Sequence, residues 1–430
     1  MPDRDRRRRV LFAASDWPGH HFCMVPLAWA MQAAGHDVAV ACPPGRAASL
    51  QAAGLIPAPV LSAVDMVTTA RMFTYLAAVN GEQPGTMPLH PYTGRPVRGL
   101  AEFDVVAELP AFQERSHEML RRSFDGMVAF ARAWRPDLVL HDLTAPEGAL
   151  AAELLHVPSV YHPPGLFGTA ETEPGVDLGD GDPSGSFPRY GLPRWNTGHV
   201  RYVVDPSPAT IRPPHTDALF MGVRYIPYNG AGGIPEDLSR PSDRPRVCVL
   251  WGRSAAFDDT GLPALRSALE AVLDQGAEVL LATSGEQHDV AARLPPRIRV
   301  VHDLPLRLLL AHSRALIHHG SVNALLTAAA LGVPQLALPR TADTEVVSAR
   351  MTATGAVRSL PVRKADPGEV GAAVAELLAD GPHRQAAGEL RTVIAAQPSP
   401  AELVRPLELL AARGGLDKAG LDAARGNSPR

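Results

Sequence analysis

The sequence predicts an α/β protein made of two domains, each with a parallel sheet, and a cleft between them. Two stretches, 10–42 and 315–343, follow the same order of an apolar strand, a polar turn, a helix and a second apolar strand. That order is typical of parallel strands joined by crossover helices. The length of 430 residues exceeds what one ordinary hydrophobic core accommodates, which favours two domains.

In the first half, apolar periodicity and breaker residues predict alternating strands and helices. The strands are expected at 10–15, 37–42, 136–140 and 159–161, and the helices at 24–34, 112–134 and 145–155. Residues 163–198 are dense in Gly, Pro and Asp. Such a long segment predicts a binding loop or a lid, or else disorder.

The second half begins after a polar, breaker-rich stretch at 230–246, which is typical of a domain linker. Its strands are expected at 247–251, 278–283, 299–302, 315–317 and 335–338, and its helices at 322–331 and 398–413. The predicted organisation is an N-terminal domain at 1–230, a linker at 231–246, a C-terminal domain at 247–397, a final helix at 398–418 and a disordered tail at 419–430.

Composition limits the classes of function. Hydrophobic residues make up 46% of the chain, charged residues 20%, and the formal net charge is −4, which gives no electrostatic case for binding nucleic acid or an anionic membrane. No apolar segment approaches the ~18 residues of a membrane span, and the arginine-rich start at 4–9 is expected to fray. Cys23, Cys42 and Cys248 lie far apart in apolar surroundings, so buried reduced thiols in a cytoplasmic protein are expected.

The turn at 318–321, His-His-Gly-Ser, is the strongest candidate for a ligand site. It joins an apolar strand to a helix of small residues, and a helix N-terminus offers free N–H groups and partial positive charge to an anion. The alternative is an ordinary crossover with a polar turn. Asp343 follows the next strand, on the edge where α/β sheets hold ligands. The stretch therefore predicts a diphosphate-binding site, with the carboxylate of Asp343 beside it to bind the hydroxyl groups of a polyol.

A second candidate site lies in the first half. His20 lies at the N-terminal end of the helix that follows the first strand, and Asp142 follows another strand of the same predicted sheet. A neutral imidazole accepts a proton near pH 7, and a carboxylate can hold it in the accepting tautomer. His21 competes with His20 for this role, and His141 competes with Asp142.

The sequence does not support a dinucleotide site, a P-loop or a metal site. The first strand-to-helix turn, ASDWPGHH, lacks the G-x-G-x-x-G of a dinucleotide site, and the chain has no G-x-x-x-x-G-K-[ST], which excludes P-loop phosphoryl transfer. Asp180 and Asp182 have the chemistry to chelate a divalent cation, but they lie in a loop of small polar residues. The histidines show no zinc-ligand spacing. No metal site is predicted.

These residues together resemble a known family. The segments 18–42, 135–160, 246–254, 300–310, 318–343 and 400–411 are similar, in order, to those of the family-one inverting glycosyltransferases, and in particular to the bacterial branch that attaches deoxysugars to polyketides and other natural products. The resemblance implies a GT-B fold of two Rossmann-like domains. It implies that the first domain binds the acceptor, that the second binds a nucleoside diphosphate sugar, and that the final helix returns to the first domain.

The resemblance also implies roles for single residues. His20 takes the place of the catalytic base, Asp142 that of the acid that orients it, and His319 that of the histidine that binds the donor diphosphate. Further donor contacts are implied for the diphosphate from Gly320, Ser321, Asn323, Arg253 and Ser254, for the sugar from Asp343 and Thr344, and for the nucleobase from Leu304 and Pro305.

Some positions depart from the family pattern. Asp303 stands where many members have an aromatic residue that stacks on the base. Ser321 replaces a glycine, Ala324 and Leu325 replace small hydroxyl residues, and Thr344 stands where a glutamine often follows the acid. Thr344 is consistent with a sugar that lacks the hydroxyl group read by glutamine.

The expected reaction is a single displacement with inversion, in which a dTDP-linked sugar is the donor, His20 is the base and no metal is required. An apolar, flat or macrocyclic acceptor is expected against the loops at 63–100 and 163–200. Ordinary anchoring of these loops is the alternative role of their aromatic residues, which are Phe73, Tyr75, Tyr92, Phe167, Tyr190 and Trp195. A helper protein or a homodimer is a possible partner.

Two other functions stay open at the level of sequence. A GT-B sugar-nucleotide 2-epimerase shares the fold and the diphosphate-binding site but needs additional acidic residues around the sugar. A non-catalytic helper subunit that binds sugar nucleotides is suggested by Asp303, Ser321 and Thr344. Replacing His20 separates these, because a transferase loses turnover and still binds the nucleotide.

Overall fold

The computed structural model describes residues 6–17, 19–63, 65–82, 87–142, 144–173, 176, 181–239, 242–251, 261–283 and 297–426. The chain forms two compact units. The first unit comprises residues 1–63, 117–231 and 390–430, and the second comprises 64–116 and 232–389. The sequence-based division assigns 64–116 to the first domain, whereas the contacts group this segment with the second unit.

The first unit contains a parallel sheet of seven described strands in the order β3-β2-β1-β4-β5-β6-β7. The strands are β1 Arg9–Ala13, β2 Asp37–Ala41, β3 Pro57–Ala58, β4 Leu138–His141, β5 Ser159–Tyr161, β6 Tyr202–Asp205 and β7 Leu219–Gly222. The strand order reverses between β1 and β4.

The second unit contains a parallel sheet of six described strands in the order β10-β9-β8-β11-β12-β13. They are β8 Arg246–Trp251, β9 Glu278–Thr283, β10 Arg299–His302, β11 Ala315–His318, β12 Gln335–Ala337 and β13 Val357–Ser359. Here the order reverses between β8 and β11. In open α/β sheets, ligands bind beyond the carboxyl ends of the strands at such a reversal.

The helices connect the strands and cover the sheets. The described α-helices are α1 His20–Ala33, α2 Ala47–Ala52, α3 Met66–Val79, α4 Val105–Trp134, α5 Glu147–Leu155, α6 Ser186–Arg189, α7 Glu236–Ser239, α8 Leu262–Asp274, α9 Leu306–Leu310, α10 Val322–Leu331, α11 Ala342–Thr352, α12 Pro367–Leu378, α13 Pro382–Ala395, α14 Pro400–Arg413 and α15 Lys418–Gly426. Short 3₁₀ turns occur at Pro44–Arg46, Leu100–Glu102, Thr197–His199, Ala209–Ile211 and Val362–Lys364. None of the helices in these ranges has both the length and the apolar character needed to cross a bilayer.

Both faces of the first sheet are covered, as the near-continuous apolar strands require. Val10 and Phe12 of β1 face a cluster that includes α1 and α14, whereas Leu11 and Ala13 face a cluster that includes α4 and α5. The alternation follows from the two-residue period of a strand. Because α14 supplies a buried apolar face that ends at Leu410, the C-terminal segment completes the core of the first unit.

Both faces of the second sheet are likewise covered. Val247 and Val249 face the cluster of α8 and α12, and Cys248 between them faces the cluster of α9 and α10. All three cysteines are buried and free, as the sequence predicts. Burial raises the pKa of the Cys248 thiol to about 12 and that of Cys42 to about 11.

Several elements differ from their prediction. Strands β6 and β7 were not predicted, because they flank the proline-rich stretch 206–214, and helix α3 was not predicted either. The disordered tail predicted at 419–430 is wrong up to residue 426, because Leu421 and Ala424 are buried on α15. Residues 427–430 lie outside the described ranges.

Candidate functional site

The reversal point of the first sheet brings together the ends of β1 and β4. Helix α1 begins at His20, only seven residues after β1 ends, and Asp142 directly follows β4. Nδ1 of His20 lies 3.7 Å from Oδ2 of Asp142, which is within ion-pair distance. The structure therefore brings together the two residues that the sequence pairs.

Asp142 is fully buried and held by backbone donors. The N–H of Ser15 donates to Oδ2 at 2.8 Å, and the N–H of Thr144 donates to Oδ1 at 2.7 Å. Burial acts to raise the pKa of Asp142, but the neighbouring His20 and the donors from Ser15 outweigh it, so the pKa is lowered. The group is a carboxylate at neutral pH, fixed in position beneath the imidazole.

The His20 ring is oriented from one side. Its Nδ1 lies 3.3 Å from the hydroxyl of Ser15 and 3.3 Å from that of Thr144, in addition to the Asp142 carboxylate. The side chain is 13% exposed. Because Nε2 lies across the ring from Nδ1, contacts at Nδ1 leave Nε2 for a substrate proton. Sequence reasoning missed Ser15 and Thr144, although their places just after β1 and two residues beyond Asp142 are typical of such support.

The two competing histidines are in the core. His21 is 1% exposed, its Nε2 lies 3.0 Å from Oγ of Ser49, and burial followed by the charge of Arg46 lowers its pKa to about 4. His141 is buried with Nδ1 3.2 Å from the carbonyl oxygen of Asp142, and burial lowers its pKa as well. The geometry therefore favours His20 and Asp142 over the alternatives that the sequence left open.

The reversal point of the second sheet contains the turn after β11. His318 ends the strand and is fully buried. Gln335 donates to the carbonyl oxygen of Leu325, so its Oε1 faces His318 and accepts from Nε2 at 3.1 Å. Nδ1 of His318 accepts the N–H of Gly320 at 3.1 Å. His318 is thus a structural residue that shapes the turn.

Gly320 has a conformational role that the sequence did not predict. Its N–H donates to His318 and is not offered to a phosphate group in this structure. Its φ is +88°, and a Cβ at this position would lie 2.9 Å from Oγ of Ser348 and 3.1 Å from Cβ of Thr344. Both the left-handed backbone and the close approach require glycine.

His319 is half-buried, and its Nδ1 is buried with no hydrogen-bond partner in the described part of the chain. Burial, followed by the positive charge of Arg340, lowers its pKa to about 4, and a hydrogen bond with the Leu250 backbone opposes this. His319 is therefore neutral at pH 7, and the single N–H of its ring donates to the Leu250 backbone in this structure.

Helix α10 begins directly after this turn. Ser321 is its N-cap, with an extended backbone and no side-chain hydrogen bond to the helix. The first-turn N–H groups of a helix have no partner within the helix, and they favour an anion. Asn323 lies in that first turn and is half-buried. Arg253 and Ser254, the other residues predicted to contact the diphosphate, lie outside the described residues.

The loop after β12 holds the residues predicted to bind the sugar. Asp343 is half-buried in the first turn of α11. The Thr344 hydroxyl accepts the N–H of Thr341 at 3.1 Å and donates to the Thr341 carbonyl at 2.9 Å, so it caps the helix. A sugar contact of Asp343 stays a prediction, and the structure gives Thr344 a capping function that the sequence did not predict.

The residues predicted to bind the nucleobase precede α9. Pro305 is its buried N-cap, and a Cβ at Gly232 would lie 2.5 Å from Cδ of Pro305. Leu304 is partly buried against the adjacent apolar cluster. Asp303 is exposed and has a φ of +52°.

The aromatic residues predicted to bind the acceptor are divided between the two units. Tyr75 is fully buried, with its hydroxyl donating to the Leu100 carbonyl at 3.0 Å, and so offers no surface to a ligand in this structure. Phe73 and Tyr92 are 49% and 44% exposed in the same segment. Phe167 belongs to the first unit and is 7% exposed. Trp195 and Tyr190 anchor the 163–198 loop in an apolar cluster of the first unit.

The described residues contain no group of three or more His, Cys, Asp or Glu side chains arranged to hold a metal ion. Asp182 accepts the Phe187 N–H at 2.8 Å and the Ser184 hydroxyl at 2.7 Å, so both of its oxygens stabilise a turn. Asp180 lies outside the described residues. A second buried pair, His215 with Asp205 at 3.2 Å, was not predicted, and Ser207 donates to the same carboxylate.

Comparison with known proteins identifies the family of the chain. Family models described as erythromycin biosynthesis protein CIII-like match residues 29–252 for the N-terminal domain and 266–410 for the C-terminal domain. The chain is 32% identical to 3-alpha-mycarosylerythronolide B desosaminyl transferase of Saccharopolyspora erythraea, with 94% of this chain and 98% of that protein covered.

A second relative and a solved structure are also similar to nearly the whole chain. The identity with aklavinone 7-beta-L-rhodosaminyltransferase of Streptomyces galilaeus is 31%, covering 94% of this chain and 96% of that protein. The crystal structure of the glycosyltransferase VinC in complex with dTDP is similar with a TM-score of 0.71 at 26% identity, covering 94% of this chain and all of that chain.

Proposed function

The chain belongs to the erythromycin biosynthesis protein CIII-like family and is a glycosyltransferase with the GT-B fold, and we propose that it is a deoxysugar transferase. In this proposal the donor is a dTDP-sugar and the acceptor is a hydroxyl group of a natural-product aglycone, such as a polyketide. The transfer inverts the configuration at the anomeric carbon. The similarity to a desosaminyl transferase of 3-alpha-mycarosylerythronolide B and to a rhodosaminyltransferase of aklavinone supports the substrate classes. The dTDP complex of a similar structure supports the nucleotide.

The observation that carries the mechanism is the His20–Asp142 pair. Asp142 is an ionised, buried carboxylate, and the contacts at Nδ1 leave Nε2 of His20 as the proton acceptor. In the proposed reaction, Nε2 removes the proton of the acceptor hydroxyl as its oxygen attacks the anomeric carbon, and the bond to the diphosphate breaks on the opposite side. The bond formed is the glycosidic C–O bond, and the electron pair leaves with the nucleoside diphosphate.

The second unit stabilises the leaving group. The N-terminal turn of α10 supplies partial positive charge and backbone donors, and neutral His319 supplies its ring N–H, which exchanges the Leu250 backbone for the diphosphate when the donor binds. These groups are fixed by the fold, so they need little reorganisation as charge grows on the diphosphate. That the reaction proceeds without a metal is part of the proposal, and chelation by EDTA is expected to leave the initial rate unchanged.

The test is a product assay with the purified chain. It is incubated with dTDP-deoxysugars and with UDP-sugars against a panel of macrolide and anthracycline aglycones, and products are identified by mass and by the anomeric coupling constants in NMR spectra. Transfer from dTDP-sugars with the opposite anomeric configuration in the product is expected. Retention of configuration, or turnover of the sugar nucleotide to its epimer without an acceptor, would refute the proposal.

Dependence on a helper protein or on a homodimer also stays a prediction. The same assay checks it when the purified chain is measured alone and its mass in solution is determined by light scattering. Activity of the monomer without any addition contradicts both expectations.

A further inference from the structure

Arg340 lies beside the turn after β11 without having been assigned any function. It follows Pro339 in the loop after β12, and a Cβ at Gly320 would lie 3.2 Å from Cβ of Pro339. The Arg340 N–H donates to the Thr344 hydroxyl at 3.3 Å. The backbone of Arg340 is therefore held directly over the edge of the sheet where His319 and Gly320 lie.

The side chain of Arg340 points from this loop towards Gly261. A Cβ at Gly261, the N-cap of α8, would lie 3.1 Å from Cδ and 3.2 Å from Nε of Arg340, and 2.7 Å from the Trp251 ring at the end of β8. In the sheet, β11 lies between β8 and β12. Because Gly261 also lies against the ring of Trp251, the last residue of β8, the side chain of Arg340 is directed from the loop after β12 towards the side of the sheet where β11 and β8 lie.

The electrostatics agree with this placement. The charge of Arg340 is the second cause, after burial, that lowers the pKa of His319. A guanidinium presents a planar set of N–H donors that matches phosphate oxygens. The turn offers a neutral histidine and a helix N-terminus, which carries only a partial charge. A full positive charge beside them complements the growing charge of a diphosphate.

We infer that Arg340 is a donor-binding residue whose guanidinium contacts the diphosphate of the sugar nucleotide at the turn after β11. The inference rests on the proposed function, because it concerns the same donor. It assigns to the loop after β12 a contact with the diphosphate in addition to the sugar contact predicted for Asp343.

The test compares nucleotide binding in three variants by calorimetry. R340M keeps the apolar stem that packs near Gly261 and removes the charge, R340K keeps a charge, and R358M is the matched control, since Arg358 pairs with Glu376 elsewhere in the second unit. Each protein is titrated with dTDP and with thymidine. R340M is expected to weaken dTDP binding roughly 10–100-fold with thymidine binding unchanged, R340K to recover part of the loss, and R358M to match the wild type.

A second measurement separates binding from packing. NMR titration of the His319 ring is expected to give a higher pKa in R340M than in the wild type, because a neighbouring positive charge has been removed. Equal loss of dTDP and thymidine binding with an unmoved His319 pKa would mean a packing role and would overturn the inference. So would dTDP binding in R340M equal to that of the wild type.

The wild-type arm keeps the two proposals distinguishable. Wild-type binding of dTDP with no effect of R340M overturns the inference alone. If the wild type prefers UDP, the dTDP part of the proposed function is wrong, and the same variants with UDP and uridine then confirm or overturn the role of Arg340. A wild type that binds no nucleoside diphosphate overturns both.

Discussion

Each unit of the molecule has two adjacent histidines where a strand meets a helix at the reversal of its sheet, but the two pairs are used in opposite order. In the first unit, His20 contacts the buried carboxylate and His21 is in the core. In the second unit, His318 is in the core and His319 reaches the turn. The same dipeptide therefore gives a site residue at its first position in one unit and at its second position in the other.

The difference arises because the first pair begins a helix, whereas the second pair begins on the last residue of a strand. His20 is the first residue of α1, so the following residue turns towards α2 and meets Ser49. His318 is the last residue of β11, where the two-residue alternation points it into the core against Gln335. The partner charges differ as well, because a carboxylate lies beside His20 and a guanidinium influences His319. One imidazole is suited to accept a proton, and the other is suited to donate a neutral hydrogen bond.

The largest expected effect separates the members of the first pair. H20A is expected to lower kcat by about 10³-fold, because general base catalysis contributes about 10²–10⁴, with dTDP binding unchanged. H21A is expected to lower the melting temperature because it empties a buried site. Product assays, calorimetry and thermal unfolding of both variants check this. A kcat that falls more in folded H21A than in H20A would reverse the assignment.

The next effect concerns the carboxylate that distinguishes the two pairs. D142N is expected to lower kcat by about 10²-fold, because an amide cannot stabilise the imidazolium that forms, while the donor KM stays within about twofold. Since the amide brings new donors towards Ser15 and Thr144, D142A and the melting temperature are measured alongside. Unchanged turnover in both folded variants would contradict the orienting role of Asp142.

A smaller effect is expected in the second pair. H319A is expected to weaken dTDP binding about 10-fold, because a hydrogen bond to a charged group contributes about 1.5–3 kcal/mol, with little change in the free energy of unfolding. H318A is expected to lower that free energy by about 2–4 kcal/mol, since it leaves Gln335 and the Gly320 N–H without their buried partner. Urea unfolding and calorimetry measure both quantities. The comparison fails if H319A destabilises the protein more than H318A does.

A gradual effect, spread over the pH scale, is a pH dependence shared by the two buried histidines. Burial lowers the pKa of His21 to about 4 and that of His318 to about 3. The unfolded chain binds these protons near pH 6.5 and the folded chain does not, so the stability they contribute is present above pH 6.5 and is lost as the pH falls towards 4. Each group contributes a slope of at most about 1.4 kcal/mol per pH unit in that window.

Urea unfolding between pH 4.5 and 7 checks this, and H21Q is expected to reduce the slope by the share of one proton. Glu147 acts in the opposite direction, because burial raises its pKa to about 7, so the stability it contributes is present at low pH and is lost as the pH rises towards 7. E147Q is therefore expected to steepen the positive slope. An H21Q slope equal to that of the wild type would contradict the burial argument.

Sequence reasoning predicted the features that depend on local pattern. The strands at 159–161, 278–283 and 299–302 and the helix at 322–331 have the predicted bounds, because each is an apolar run with breakers at its ends. The pairing of His20 with Asp142 was predicted because parallel strands end at one edge. The role of His318, the burial of Tyr75 and the path of the Arg340 side chain were not, because each depends on side chains from distant segments.

The return of α14 to the first sheet has a consequence for how the chain is made. Residues Leu403 to Leu410 cover the same face as Val10 and Phe12, which leave the ribosome almost a whole chain length earlier. At a synthesis rate of about 5–20 residues per second, that face waits on the order of 20–80 s for its cover. During translation the nascent N-terminal half thus has α1 over this face but exposes the apolar surface that α14 later covers, so we expect it to bind chaperones and expect truncation before α14 to destabilise the first unit.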